Sequence, residues 1–261
     1  MNIAQTFPSN PAVTSRRPHT EFRNHILTVT VAAEDGRPLL DRGAYDRLAA
    51  TLRAAADDGE VRVVVLRGLD GCFCLGGDIS EFLDSTKHAA LIEAVTGMFR
   101  TLATFPKPLL GCVEGDAVGV GCTILFHCDM VIASGQSTFR VPFVDLGLVP
   151  DAATSILAPE RLGYAAAFRF FCLGDTLTAA EAKDLGLVAE IAVGSPQTWA
   201  HSRARQLAKK PVEALRQTRG LLRGDGRHLC DRIDEEISLF HKALQDETTL
   251  RRLARIARLV A

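Results

Sequence analysis

The sequence predicts an α/β fold built from repeated strand, turn and helix units, followed by a helical C-terminal region. The stretch Val61 to Leu66 is almost entirely apolar and β-branched, as in a strand that is buried on both faces. Leu109 to Val113 is strand-like as well, and each of the two stretches leads into a glycine-bearing turn. From about Ala165 onward the apolar residues recur at helical spacing instead. With 261 residues, 47% of them hydrophobic, the chain can bury a substantial core.

The individual elements follow from local patterns along the chain. Apolar residues alternate from Phe22 onward, which predicts a strand. Tyr45, Leu48 and Leu52 share one face of a predicted helix, and Pro106 ends the next long helix. The predicted strands are 22–31, 61–66, 109–113 and 129–133, and the predicted helices are 41–56, 88–103, 120–126, 179–185, 199–207, 212–222 and 229–244.

Three regions are expected. Residues 1–20 are rich in Ser, Thr, Pro and Asn, and we interpret them as a flexible N-terminal extension because prolines interrupt them and no amphipathic helix is evident. Residues 21–195 are expected to form the ligand-binding core, and residues 196–261 a helical region. Lys and Arg outnumber Asp and Glu over 203–261, which fits solvated helix faces, a phosphate-rich ligand or a subunit interface.

Composition excludes several function classes. A formal net charge of −1 argues against nucleic-acid binding, and no apolar run reaches the roughly 18 residues of a transmembrane helix. The seven cysteines are an odd number and several lie in apolar runs, which indicates reduced thiols in a cytoplasmic protein. Cys72 and Cys74 have no second pair at ligand spacing, so no metal site is predicted.

Two glycine segments are the strongest functional signal: Cys74-Leu75-Gly76-Gly77-Asp78 and Gly115-Asp116-Ala117-Val118-Gly119-Val120-Gly121-Cys122. Each can turn backbone N–H groups toward one point, and two such groups converging on a carbonyl oxygen make an oxyanion hole. The N–H groups of Gly77 and Val120 are the candidate donors, although ordinary tight turns explain each segment about as well. Dinucleotide-binding, P-loop and nucleophile-elbow spacings are not found.

The order of these and further motifs resembles the enoyl-CoA hydratase/isomerase (crotonase) superfamily over roughly residues 22–191. The resemblance implies a crotonase-like fold of repeated ββα units, an acyl-CoA thioester substrate, no cofactor beyond the coenzyme A of that substrate, and a homotrimer or homohexamer. It also implies that Gly77 and Val120 supply the oxyanion donors and that 196–261 serves oligomerisation and the CoA side. The remaining motifs are Lys107-Pro108, Cys128-Asp129, Phe139, Leu146-Gly147-Leu148-Val149-Pro150, Arg161-Leu162-Gly163, Leu173-Gly174-Asp175 and Gly186-Leu187-Val188.

Departures from the family pattern point to one activity. Hydratases of the family carry two glutamates, and this chain has Thr123 and Phe143 at those positions, neither of which can activate water. Asp151 instead falls where Δ3,Δ2-enoyl-CoA isomerases of the family place a single catalytic acid. An apolar wall of Phe143 and Val149 would raise the proton affinity of that acid. Leu75, Phe143, Val149 and Thr123 are the predicted substrate-pocket residues.

Three alternatives stay open for Asp151. Its carboxylate is well placed in sequence to cap a helix that begins in the Ala-Ala-Thr-Ser run, which would leave a non-catalytic CoA-ester binder. The same position carries a nucleophilic aspartate in the aryl-CoA dehalogenases of the superfamily, and an acyl-CoA hydrolase could use it in the same way.

Phe240 and Lys242 are candidates for the residues that close the C-terminal side of the site. His127 is interpreted as a packed core histidine, and Asp78 as a helix cap.

Overall fold

The computed structural model describes residues 19–260. The extension predicted for residues 1–20 lies outside the described residues up to residue 18, and Ala261 lies outside them as well. Within this range no helix is both long enough and apolar enough to cross a membrane.

Two sheets organise the chain. The larger has the strand order β1-β2-β3-β5-β7-β10, and its strands are parallel except for the antiparallel pair β1 and β2. The smaller has the order β4-β6-β8-β9, with only β8 and β9 antiparallel. The strands are β1 Thr20–Arg23, β2 Ile26–Thr30, β3 Val63–Arg67, β4 Cys72–Cys74, β5 Leu109–Val113, β6 Asp116–Val118, β7 Met130–Ser134, β8 Thr138–Arg140, β9 Leu177–Thr178 and β10 Glu190–Ala192.

Helices follow the strands and then take over toward the C-terminus. They are α1 Arg42–Asp57, α2 Ile79–Phe82, α3 His88–Thr104, α4 Val120–Thr123, α5 Phe143–Leu146, α6 Thr154–Leu162, α7 Tyr164–Cys172, α8 Ala179–Asp184, α9 Pro196–Ala208, α10 Val212–Arg223, α11 Arg227–Ala243 and α12 Glu247–Val260, with a 3-10 turn at Ile124–His127. Three successive units place one strand in each sheet before a helix: β3-β4-α2, β5-β6-α4 and β7-β8-α5. The α/β fold of repeated ββα units is thereby confirmed.

The central strand β3 is buried on both faces, as its composition predicts. Val64 and Leu66 contribute to the main core, which also holds the packed helices α1 and α3. Val63 and Val65 point into a second cluster, which α9 covers with small residues such as Ala204. A strand between two cores has no polar face, which explains why its sequence does not alternate.

The prediction of one strand over 22–31 is wrong in detail. The segment is a hairpin, because Asn24 and His25 adopt left-handed φ angles of 53° and 62° and turn β1 back onto β2. The short strands of the smaller sheet were not predicted either. They have two or three residues each, too few to show a period of two.

Candidate active site

The two glycine segments meet because the strands before them are neighbours. Strand β4 pairs in parallel with β6, so the loops that leave their C-terminal ends lie side by side. Gly76 has φ +109° and Gly119 has φ +54°, conformations that other residues rarely adopt. A Cβ at Gly121 would lie 2.5 Å from the Cys74 carbonyl oxygen, closer than real Cβ atoms come to another atom. Glycine therefore allows the two backbones to touch.

The candidate N–H group of each segment has no hydrogen-bond partner among residues 19–260. The Leu40 N–H donates to the Gly76 carbonyl oxygen and the Asp78 N–H donates to the Leu40 carbonyl oxygen, each over 2.9 Å, and the Gly77 N–H lies between them. Helix α4 begins at Val120, whose N–H precedes the first intrahelical bonds. Neither N–H donates to another group within residues 19–260. Gly77 and Val120 both line one cavity, so the predicted donor pair is brought together.

Asp151 lines the same cavity and is its only acidic residue among those described. Its side chain is buried, and its Oδ1 atom has no hydrogen-bond partner in the described part of the chain. Burial raises the pKa of Asp151 to about 7; the Thr123 hydroxyl opposes the shift and the Glu236 carboxylate adds to it. A carboxyl group with this pKa can both accept and return a proton near neutral pH.

Asp151 does not cap a helix. Helix α6 begins at Thr154, and its N-terminal N–H groups are bound by Glu236 from α11, which accepts from Ala153 N over 2.6 Å and from Ser155 N over 3.0 Å. The contact that Asp151 makes with this turn is through its main-chain carbonyl oxygen, which accepts from Thr154 N and Oγ1. The carboxyl group is thus left for the cavity.

The predicted pocket residues divide into two groups. Leu75 and Phe143 line the cavity. Thr123 is fully buried and lies near Asp151, with its hydroxyl 3.4 Å from the Val120 carbonyl oxygen, whereas Val149 packs partly buried against the core. The described lining includes neither of them. Thr123 therefore contacts the carboxyl group of Asp151 and is not part of the cavity wall that a ligand would touch.

Helices far apart in sequence close the cavity. Phe240 of α11 packs edge-to-face on Phe82 of α2, with 5.7 Å between ring centroids, and both line the cavity, whereas Lys242 is absent from the described lining. Tyr45 of α1 also faces it, although the sequence pattern indicated only a core position. The sequence around Tyr45 and Glu236 did not predict that either residue would lie at the site, because elements distant in sequence bring them there.

Asp78 and His127 have the structural roles that were predicted. Asp78 caps α2 by accepting from Ser80 N over 2.9 Å, and it pairs with Arg37 over 2.7 Å. His127 is completely buried, and burial together with Arg223 lowers its pKa to about 3. The neutral ring donates from Nε2 to the Ala152 carbonyl oxygen over 2.8 Å. His127 is therefore part of the scaffold behind the turn that carries Asp151.

Replacing Asp151 with asparagine is expected to stabilise the fold at alkaline pH. The pKa of Asp151 in the folded protein, about 7, lies above the ordinary value of 3.8. Ionisation of this group therefore does not destabilise the folded state below pH 3.8, and the destabilisation reaches its full size above pH 7. The increase in the free energy of unfolding caused by Asp151→Asn should therefore be on the order of 4 kcal/mol at pH 8 and close to zero at pH 4. Urea unfolding at both pH values measures it, and an equal effect at the two would contradict the raised pKa.

Comparison with known proteins gives one consistent family. A family model described as enoyl-CoA hydratase/isomerase matches residues 21–252. Human enoyl-CoA delta isomerase 2 is 31% identical over an alignment of 273 positions, gaps included, which covers 95% of this chain and 68% of that protein. The 2,3-dehydroadipyl-CoA hydratase of Escherichia coli K12 is 29% identical over 72% of each chain. The structure of Pseudomonas aeruginosa OdaA covers 91% of this chain and 97% of its own at 31% identity, with a TM-score of 0.85.

Proposed function

This chain belongs to the enoyl-CoA hydratase/isomerase family, and from that premise we propose that it moves the double bond of a 3-enoyl-CoA to position 2, with Asp151 as the single acid/base. The observation that carries the proposal is a buried carboxyl group with one oxygen atom that has no hydrogen-bond partner among residues 19–260, on the same cavity as two N–H groups that have none there either. The similarity to an enoyl-CoA delta isomerase supports it as well.

The proposed reaction needs one base and one anion site. The Asp151 carboxylate removes a proton from the α carbon of the thioester, and the resulting negative charge collects on the thioester oxygen. The N–H groups of Gly77 and Val120 stabilise that oxygen in the dienolate. The protonated Asp151 then returns the proton to the γ carbon, which leaves the double bond conjugated with the carbonyl. The thioester is the electron sink, so the proposed route uses no metal or redox cofactor.

Hydration is disfavoured by the side chains at the two glutamate positions of hydratases. A hydratase must hold and deprotonate a water molecule as well as protonate the α carbon, which takes two carboxyl groups in this family. Thr123 is buried behind the acid, and Phe143 is an apolar part of the lining. An apolar wall also excludes water from the reacting carbon atoms, which favours migration over addition.

The assembly and location of the protein are proposed on the same basis. We propose a homotrimer or homohexamer in the cytoplasm, with acyl-CoA as the partner molecule and neither nucleic acid nor membrane among its partners. Exposed apolar side chains on α7 and at the residue that follows it support an association surface; they are Tyr164, Phe168 and Leu173.

The first experiment is incubation of the wild-type protein with a 3-enoyl-CoA in heavy water, followed by NMR spectroscopy. We expect conversion to the 2-enoyl-CoA, with deuterium at the α and γ carbons to the extent that protonated Asp151 exchanges with the solvent before it returns the proton. A saturated acyl-CoA of the same chain length is the control, and it should exchange only at the α carbon. Accumulation of a 3-hydroxyacyl-CoA as the main product would refute the isomerase proposal in favour of hydration.

Two other functions make different predictions for the same samples. A nucleophilic Asp151 would form an acyl-aspartate, which mass spectrometry of the quenched protein would detect as a covalent adduct on the peptide that contains it. A CoA-ester binder would retain the ligand but exchange no proton. Either result would replace the proposal.

A further inference from the structure

The turn that carries Asp151 holds an unusual backbone conformation. Ala152 and Ala153, which directly follow the acid, both have left-handed φ angles, 58° and 57°. Residues with a Cβ rarely adopt this region, and two in succession persist only when surrounding groups enforce them. Any relaxation of this turn would rotate the backbone next to Asp151 and move its carboxyl group in the cavity.

The enforcing group comes from the C-terminal region. Glu236 is 4% exposed, and its two carboxyl oxygens accept from the N–H groups of Ala153, over 2.6 Å, and Ser155, over 3.0 Å. Hydrogen bonds to a carboxylate are stronger than neutral ones, and two of them fix the direction of the backbone. His127 holds the other side of the turn through the Ala152 carbonyl oxygen.

The Asp151 carboxyl group depends on this turn for its position. Its Oδ1 atom has no hydrogen-bond partner in the described residues, and the Thr123 hydroxyl bonds the carboxyl group, so the backbone of the turn sets where the group lies in the cavity. We propose that Glu236 is a positioning residue: by holding the left-handed turn at Ala152 and Ala153, it fixes the Asp151 carboxyl group against the reacting carbon atoms. This inference rests on the proposed function of Asp151.

Glu236 also differs from the other titratable groups around Asp151. Those groups are Tyr45 on α1, Cys122 on α4 and His127 in the 3-10 turn, and burial keeps each of them neutral near pH 7. Burial is the main cause of the raised pKa of Asp151, and the charge of Glu236 raises it further. A variant without this charge should therefore report on Asp151 in two separate ways, through the rate and through the pKa.

The test compares Glu236→Ala with Glu235→Ala. Glu235 is the preceding residue of α11, it is solvent-exposed, and it pairs with Arg232 over 3.4 Å. For double-bond migration we expect Glu236→Ala to lower kcat by about 10- to 100-fold, with KM changed by less than about threefold, because the acid is misplaced while binding is kept. Glu235→Ala should leave both constants within about twofold of the wild type.

A rescue separates positioning from general loss of structure. Glycine adopts a left-handed φ without strain, so Ala153→Gly added to Glu236→Ala should restore kcat by about fivefold or more. The apparent pKa of Asp151 should stay lowered in the double variant, since the missing charge is not replaced. Glu236→Gln, which keeps the shape of the side chain, covers the case in which Glu236→Ala does not fold, and it should lower both kcat and the pKa.

The outcomes distinguish this inference from the proposed function. An unchanged kcat in a folded Glu236 variant, or a loss that Ala153→Gly does not restore, would overturn the positioning role. If the wild type does not isomerise any 3-enoyl-CoA, the carboxyl titration of Asp151 by ¹³C NMR, assigned by its absence in Asp151→Asn, still reports on Glu236. A pKa of Asp151 that is equal in the wild type and in Glu236→Gln would then refute the coupling.

Discussion

Asp151→Asn is expected to lower kcat for double-bond migration by about 10²- to 10⁴-fold, with KM within a few fold of the wild-type value. Asparagine has nearly the same shape as aspartate and fills the same buried position, but its amide cannot take the α proton. Binding of the CoA ester and the oxyanion contacts should persist, so the loss falls on the chemical step. Steady-state kinetics with a 3-enoyl-CoA, together with a direct binding titration, measures both parts.

The matched control is Asp145→Asn. Asp145 lies on α5 between two residues that line the cavity, Phe143 and Leu146. Its own carboxyl group is half-exposed and pairs with Arg140 over 3.4 Å. The same chemical change there should alter kcat by less than about threefold, in keeping with an exposed ion pair. Substantial α-proton exchange by Asp151→Asn would show that another group is the base.

The pH profile gives a further check on the same residue. Asp151 must be ionised to accept the α proton, so kcat/KM, which reports the groups of the free protein, should rise with pH and reach half of its plateau near the pKa of about 7. An ordinary exposed aspartate would place this limb near pH 4. The limb should be missing in Asp151→Asn, because the titrating group is gone.

The elements that were predicted well are those whose signal is local. Strand β5 has the predicted bounds because Pro108 precedes an apolar run that is buried throughout. Helix α1 begins after Asp41, whose carboxylate accepts from Ala44 N as a helix cap. Strand β4 could not be predicted in the same way, since its three residues become a strand only by pairing with β6.

Among the residues of the candidate site, too, those with a local sequence signal were predicted and one without it was missed. Gly77 and Val120 were predicted from backbone chemistry, since glycine turns and a helix start leave N–H groups free, and they line one cavity in the structure. Asp151 was predicted from its place in the order of family motifs. Glu236 was missed because it lies in an amphipathic helix, where a glutamate is normally a solvated residue. Only the three-dimensional structure brings it to the turn of Ala153.

Val120→Pro is expected to lower kcat by about 10²- to 10³-fold, because it removes one of the two N–H donors to the thioester oxygen. A backbone donor cannot be deleted by changing a side chain, but proline has no N–H. Val120 is the first residue of α4, a position that proline occupies without strain, and its N–H bonds no other described group. The variant should therefore fold, which thermal unfolding checks before the kinetics are measured.

The control for the altered side chain is Val120→Ala, which shortens the residue but keeps the N–H group. It should retain kcat within about tenfold of the wild type, so the ratio of the two variants isolates the hydrogen bond. The donor acts on charge that develops in the transition state, and ground-state affinity for a saturated acyl-CoA should change far less than kcat. Equal losses in the two variants would instead assign the effect to packing of Val120, and the oxyanion role of this N–H would have to be abandoned. Asp151→Asn removes the base, and Val120→Pro removes one of the two donors to the thioester oxygen. The two changes together should lose less than the product of their separate effects, since both act on the same enolate.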